Sequence, residues 1–246
     1  MPLDRFSAQA AAYARYRIAY PAALYAWLLP LVPGRRRAWD CATGSGQVAL
    51  ALAAHFAEVD ATDLSANQWA QAPARPNIRY QTARAEHPPF PDHVFDLVTV
   101  GQAVQWFDPA PYHREVRRVA RPGAVLAEWG YGLVQIGPEI DPLVRRFYRE
   151  TMGPYWDANR GHIDDEYARL PFPSAGARRA HFAERRSWSA AWFLDYLRTW
   201  SSVQNYLKQH GTDPVLPLAG ELTGRWGPGE RDVTFPVFAR AGAVAP

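Results

Sequence analysis

Between residues 35 and 132, short apolar runs alternate with stretches of helical period. Runs at Arg37–Asp40, Val59–Thr62, Ile78–Thr82, Phe95–Val100 and Ala124–Trp129 predict strands, and helical patterns open at Gly46, Ala66 and Pro111. Strands joined through helices, without hairpin turns, predict a doubly wound, mostly parallel sheet with helices on both faces. Ahead of this region, residues 7–31 predict helical pieces broken at Pro21 and Pro30, with Tyr13, Tyr16, Tyr20, Tyr25 and Trp27 among them. After Gly132 the pattern changes. Residues 137–176 are dense in proline, glycine, aromatic and charged residues and predict an insertion over the sheet. One helical segment follows over Ala190–Gln209, with too many apolar positions for a single narrow stripe. The tail Asp232–Arg240 has strand propensity and is expected to return, antiparallel, to the edge of the sheet. The expectation is one α/β domain over residues 1–246. It comprises an N-terminal helical lid (1–34), a ligand-binding core (35–132), a helical and aromatic cap (133–210) and a C-terminal strand region (211–246).

The segment Trp39-Asp40-Cys41-Ala42-Thr43-Gly44-Ser45-Gly46-Gln47 sits at the turn between the first strand and the first helix of that core. Two glycines allow a sharp turn and close approach of a ligand to backbone, at the N-terminus of the following helix. Asp63 ends the second apolar run, near the spacing at which an acid reaches ribose hydroxyls. The loop pattern alone is common in α/β proteins. Asp40 sharpens it: an acid at the mouth of the turn repels a dinucleotide pyrophosphate by about 1 kcal/mol or more at short range. It suits instead a cationic nucleoside such as S-adenosylmethionine, with a solvated, turn-capping carboxylate as the plainer alternative.

Composition narrows the classes without naming a ligand. The formal net charge is +3, and the arginines fall in scattered pairs, so no basic stripe marks a nucleic-acid surface. Lys208 is the only lysine, a bias that suggests a GC-rich, bacterial genome. Cys41 is the only cysteine, which rules out an internal disulfide and a cysteine-based metal site and fits a reducing, cytoplasmic setting. The apolar segment Leu24–Val32 contains Pro30 and is too short to span a bilayer. His87, Asp92 and His93 stand among prolines with no ligand spacing, so no metal is expected.

The chain resembles the class I S-adenosylmethionine-dependent methyltransferases, in the small-molecule branch similar to trans-aconitate methyltransferase. The resemblance runs over nearly the whole chain. It rests on Tyr16-Arg17-Ile18-Ala19-Tyr20-Pro21, the glycine loop, Ala61-Thr62-Asp63-Leu64-Ser65 with Gln68, and Ala85-Glu86 before Pro89-Phe90-Pro91-Asp92. It continues through Gly101-Gln102-Ala103-Val104-Gln105-Trp106-Phe107-Asp108, Arg121-Pro122-Gly123 and Thr199-Trp200-Ser201. It implies a Rossmann-like sheet and S-adenosylmethionine as cofactor, with S-adenosylhomocysteine as product. Carried over by position, Asp40, Ala42, Gly44 and Gly46 would meet the methionyl and ribose side of the cofactor. Asp63, with Leu64 and Gln68 beside it, would take the ribose hydroxyls, and Ala85 and Glu86 would lie at the adenine. Gln102 and Ala103 would line the sulfonium side, and Arg17 would pair with the cofactor carboxylate.

A small-molecule acceptor is expected against Tyr16, Gln105, Trp106, Trp129, Tyr131, Trp156, Arg160 and Trp200, although such rings are as often core. Arg160, facing the pocket, would favour an anion. The family pattern commonly carries histidine where this chain has Gln105, and glutamine cannot act as a general base. Gln105 and His162 are therefore the candidate catalytic groups, the first by orienting a substrate, the second with a surface or packing role as its alternative. A different class of function stays open: a fold member that binds the cofactor and transfers no methyl, as a rearrangement catalyst or binding protein. A nicotinamide-dependent oxidoreductase is a third reading. A monomer or homodimer is expected, with neither nucleic acid nor membrane as partner.

Overall fold

The computed structural model describes residue 16 and residues 18–70, 72–174 and 176–245. Of the lid expected over residues 1–34, residues 1–15 and Arg17 lie outside the described residues.

The chain enters through helix α1 (Ala22–Leu28), whose Leu24 and Leu28 are fully buried under the sheet. Strand β1 (Arg37–Cys41) leads by the glycine turn into helix α2 (Gln47–Leu52), and β2 (Glu58–Asp63) leads into the short helix α3 (Ala66–Trp69). Strands β3 (Ile78–Thr82) and β4 (Phe95–Gly101) follow, then helix α4 (Pro109–Val119) and β5 (Ala120–Tyr131). The start of α4 is specified locally: Asp108 caps it by accepting from Ala110 N, and Pro109 stands where no helical N–H is needed. These five strands are parallel, in the order β3-β2-β1-β4-β5. The strands buried on both faces are mostly apolar and do not alternate, as in β4, where only the last residue is not buried and Asp96 and Thr99 are the polar exceptions. Apolar side chains of α1 and α2 close one face of the sheet, and those of α4 close the other.

The second half departs from expectation in three places. Helix α5 (Asp141–Arg146), continued by a wider turn over Phe147–Thr151, and the short helix α6 (Gly161–Asp164) belong to the expected cap. They are followed by an unexpected strand, β6 (Arg178–Ser189). Its charged residues fall on both faces, so it carries no apolar run; at a sheet edge such charges are tolerated and discourage association. The expected helix over Ala190–Gln209 is two helices, α7 (Ala190–Arg198) and α8 (Ser201–His210). Between them the Thr199 hydroxyl bonds back to the Tyr196 carbonyl at 2.7 Å, Gln204 Nε2 donates to the Arg198 carbonyl at 2.6 Å, and Trp200 turns extended. Helix α9 (Leu216–Trp226) then leads to β7 (Glu230–Ala243). Strand β7 is antiparallel, as expected, yet it lies inside the sheet between β5 and β6 and not at its edge.

Helices α5 and α7 to α9 gather over β5 and β7 around a further apolar centre built from Phe147, Trp188, Phe193, Tyr196, Trp226 and Phe235. The cap is thus a packed layer with its own core. Strand order reverses at β1 and β4, and the crevice beyond the carboxyl ends of these strands is where ligands bind in such sheets. No helix among the described residues is long and apolar enough to cross a membrane.

Candidate functional site

Two clefts open above that crevice, and they share a wall. The first, of about 510 Å³, is lined by Ile18 and Tyr20, by Asp40, Ala42, Thr43, Gly44 and Ser45 of the β1–α2 turn, and by Gln102 and Tyr131. The second, of about 700 Å³, again includes Gln102 and Tyr131. Its remaining lining includes Gln105, Trp106, Trp156, Arg160, Tyr196 and Trp200.

In the turn, Ala42, Gly44 and Gly46 all have positive φ, at 57, 54 and 77°. Gly44 lines the first cleft, and a Cβ placed there would meet nothing within 4 Å, so a side chain would occupy ligand space. Gly46 has a different reason: a Cβ there would stand 2.6 Å from the Tyr80 hydroxyl and 2.8 Å from the Ala72 Cβ, so the start of α2 has no room for one. Asp40 is 1% exposed and ties the turn together. Its Oδ2 accepts from Thr43 Oγ1 at 2.5 Å and from Ala49 N at 3.1 Å, while Oδ1 accepts from Thr99 Oγ1 at 3.0 Å. Burial pushes its carboxyl up to about 7, against the opposing pull of those hydrogen bonds, and the nearby Asp63 charge adds to the rise. Asp63 accepts from Gly44 N at 2.9 Å and Ser65 N at 3.1 Å, which aims its carboxylate at the turn.

The other residues expected at the cofactor do not all reach the first cleft. Leu64 is exposed, and Gln68 is buried with its Nε2 unpaired among the described residues; neither lines it, nor do Gly46, Ala85 or Ala103, while Asp63 lies just outside the lining, bonded to Gly44 N. Glu86 is buried and accepts from Asp108 N at 3.2 Å, so it braces the loop ahead of α4.

Around the second cleft, Gln102 has φ 57° and spans both clefts. Its amide brackets Tyr131, accepting from the Tyr131 N–H at 2.7 Å and donating to the Tyr131 carbonyl at 3.4 Å. Arg160 stacks over the rings of Trp156 and Tyr148 at 4.8 and 5.2 Å, and its Nε donates to the Tyr148 hydroxyl at 2.7 Å. Its two terminal nitrogens have no protein partner among the described residues. Gln105 donates through Nε2 to the Gln102 carbonyl at 3.1 Å and accepts from the Tyr167 hydroxyl at 3.0 Å.

Three residues expected at the acceptor site lie elsewhere. Trp129 is fully buried beneath Gly101 and meets Tyr20 and Tyr25 edge-on, so it supports the site from below without lining either cleft. Tyr16 docks on α7 through Trp192 and Asp195. His162 lines neither cleft. Conversely, Ile18, Tyr196 and Tyr167 were not readable as site residues. Tyr196 and Tyr167 differ from the neighbouring core aromatics only in where the cap folds them.

Residues 39–127 match a family model described as a methyltransferase domain. A Dictyostelium discoideum protein named as a methyltransferase is 31% identical over 245 residues, covering 96% of this chain and 93% of its own length. A solved structure described as a type II methyltransferase from Anaeromyxobacter dehalogenans superposes with a TM-score of 0.86 at 38% identity, covering 94% of this chain and 99% of that one. The YcgJ protein of Bacillus subtilis shares the fold, with a TM-score of 0.54 at 16% identity over 90% of this chain and 97% of its own.

Proposed function

This chain belongs to the class I S-adenosylmethionine-dependent methyltransferases, and from that premise we propose that it methylates a small, anionic acceptor held in the second cleft while the cofactor occupies the first. The shared wall carries the reading: Gln102 and Tyr131 face both clefts, so molecules in the two would meet across these residues. The first cleft fits a cationic nucleoside, with a buried carboxyl at Asp40 and a glycine turn that no Cβ fills at Gly44. When bound there, the cofactor supplies an electrophilic methyl on a sulfonium. Asp40 and the Gly44 turn would hold its methionyl side, and Asp63 its ribose hydroxyls.

The chain's own contribution is positioning. Orienting two reactants can supply roughly 7–11 kcal/mol of a barrier. The stacked Arg160 presents two donor nitrogens that are unpaired among the described residues, from an aromatic surround, a setting suited to a planar carboxylate. A carboxylate is already ionised at neutral pH and needs no general base. Gln105 in place of histidine is then no obstacle, and its amide is committed to orientation. The aromatic cap excludes water from the transfer.

Calorimetric titration with S-adenosylmethionine, S-adenosylhomocysteine and nicotinamide dinucleotides tests the cofactor assignment. Micromolar binding of the first two alone is expected, and product mass with carboxylate acceptors should then rise by one methyl group. Failure of both to bind folded protein, checked for co-purified ligand, would sink the reading. Cofactor retention without any methylated product would favour a fold member that performs no transfer.

Asp40 gives the binding a pH signature. A carboxyl lifted to about 7 adds stability to the free protein at low pH, and that stability is lost as pH rises through about 7. A cation in the cleft favours the ionised form, so binding below pH 7 expels a proton and affinity climbs with pH until Asp40 is ionised unaided. Calorimetry at about pH 6 in buffers of different ionisation heat should register that release. A buffer-independent enthalpy would remove Asp40 from the cation's surroundings.

A further inference from the structure

Tyr167 is fully buried in the loop after α6, and its ring stands edge-on to Phe238 at 4.9 Å. Its backbone is unusual: Glu166 and Tyr167 have φ of 53 and 61°, a region that residues with side chains rarely adopt. The conformation is held from two sides. Tyr167 N donates to the His162 carbonyl at 2.7 Å, and Arg240 Nη1 donates to the Tyr167 carbonyl at 2.9 Å. Backbone kept in such a conformation directs attention to what it places. Here it places a hydroxyl against Gln105, on the wall of the second cleft.

We infer that Tyr167 is a specificity-determining positioning residue: it holds the Gln105 amide by its oxygen, together with the Gln102 carbonyl at the nitrogen, so that the group Gln105 turns to the acceptor is its remaining N–H. The Gln102 carbonyl can only accept, so the nitrogen end of the Gln105 amide must face it. The oxygen end then faces Tyr167, whose hydroxyl donates to it at 3.0 Å, with the Trp129 carbonyl a more distant 3.4 Å away. Reversing the amide would set oxygen against oxygen at Gln102. Burial holds the Tyr167 phenol well above its ordinary range, so the donor keeps its proton. Among the described residues the other N–H of Gln105 has no protein partner, and Gln105 lines the cleft. Gln105 therefore selects molecules that present an oxygen lone pair there. The inference rests on the second cleft being the acceptor site.

The test uses the full chain loaded with S-adenosylhomocysteine, with labelled glutamine and tryptophan side-chain nitrogens followed by NMR. The probes are benzoate and benzylamine, which share a ring and differ in the polarity they present. In the wild type, benzoate should shift both the Trp106 indole and the Gln105 amide signals, and benzylamine should leave the Gln105 amide unmoved. Tyr167→Phe should keep the S-adenosylhomocysteine affinity, broaden the Gln105 amide pair as its orientation loosens, and cut the preference for benzoate by about tenfold. Gln105→Glu, which has no hydrogen to give, should lose the preference as well, and it serves as the test should Tyr167→Phe fail to fold. An unchanged preference in the variant that folds overturns the assignment. Benzoate that shifts Trp106 and spares Gln105 overturns it too, and leaves the acceptor cleft standing. If neither probe shifts any signal of the cleft, the acceptor reading falls and takes this inference with it.

Discussion

Replacing Asp63 by alanine is expected to weaken S-adenosylmethionine and S-adenosylhomocysteine binding by about a hundredfold while leaving the melting temperature within a few degrees. Its carboxylate ends β2, is only partly buried, and is aimed by Gly44 N and Ser65 N, both of which water can replace. Two charge-assisted hydrogen bonds to ribose hydroxyls are worth about 1.5–3 kcal/mol each, and losing most of that sum gives the stated factor. Asp63→Asn keeps the shape and part of the hydrogen bonding, so it should fall between. Calorimetry decides: an alanine variant within twofold of the wild type would remove Asp63 from the ribose.

The second large effect is on stability. Glu128 on β5 and Arg240 on β7 form an ion pair at 2.6 Å, with exposures of 0 and 3%. Burial pushes Glu128 up to about 7 even with the opposing charge of Arg240 beside it. Arg240 also donates to the carbonyls of Tyr167, Leu170 and Pro171, which pins the end of the cap to the sheet. Arg240→Met leaves a carboxylate buried without its partner and three carbonyls without this donor, and breaking such a pair costs about 3–5 kcal/mol. In a chain of this length the melting temperature should fall on the order of 10 °C at neutral pH. The deficit should shrink in acid, where the stranded Glu128 takes up a proton. The double variant with Glu128→Gln should recover part of the loss, because no charge is then stranded. Melts of the single variant within 2 °C of wild type, roughly 1 kcal/mol or less, would contradict this account.

What the sequence revealed and what it hid follow from solvent. The parallel strands were legible because both faces of β4 and its neighbours are covered, which favours short, mainly apolar runs without alternation. The same condition placed Gly44, Asp40 and Gln102 at strand ends, where a crevice must lie. Strand β6 was hidden because an edge strand may carry arginine on either face. The break between α7 and α8 was hidden because a hydroxyl at Thr199 and an amide at Gln204 replace helical bonds that propensity would have kept. Trp129 and Trp200 look alike in sequence. Only the layering of the cap over the sheet makes one a floor and the other a wall. Tyr167 could not be found at all, since its role depends on two successive residues with positive φ.

The interior position of β7 dictates an order of assembly. Strand β6 joins the sheet only through β7, although it comes earlier in the chain. During synthesis β1 to β5 can pair as they emerge, whereas β6 must wait, unpaired, for residues 230–243. Until then Arg240 is missing, and the loop bearing Tyr167 lacks the anchor that Arg240 gives its backbone. A nascent chain would therefore acquire its cofactor crevice before its acceptor wall. A stop near residue 229 would remove far more than one strand: it would leave a five-stranded parallel half with β5 as an open edge and a cap held mainly by its own core.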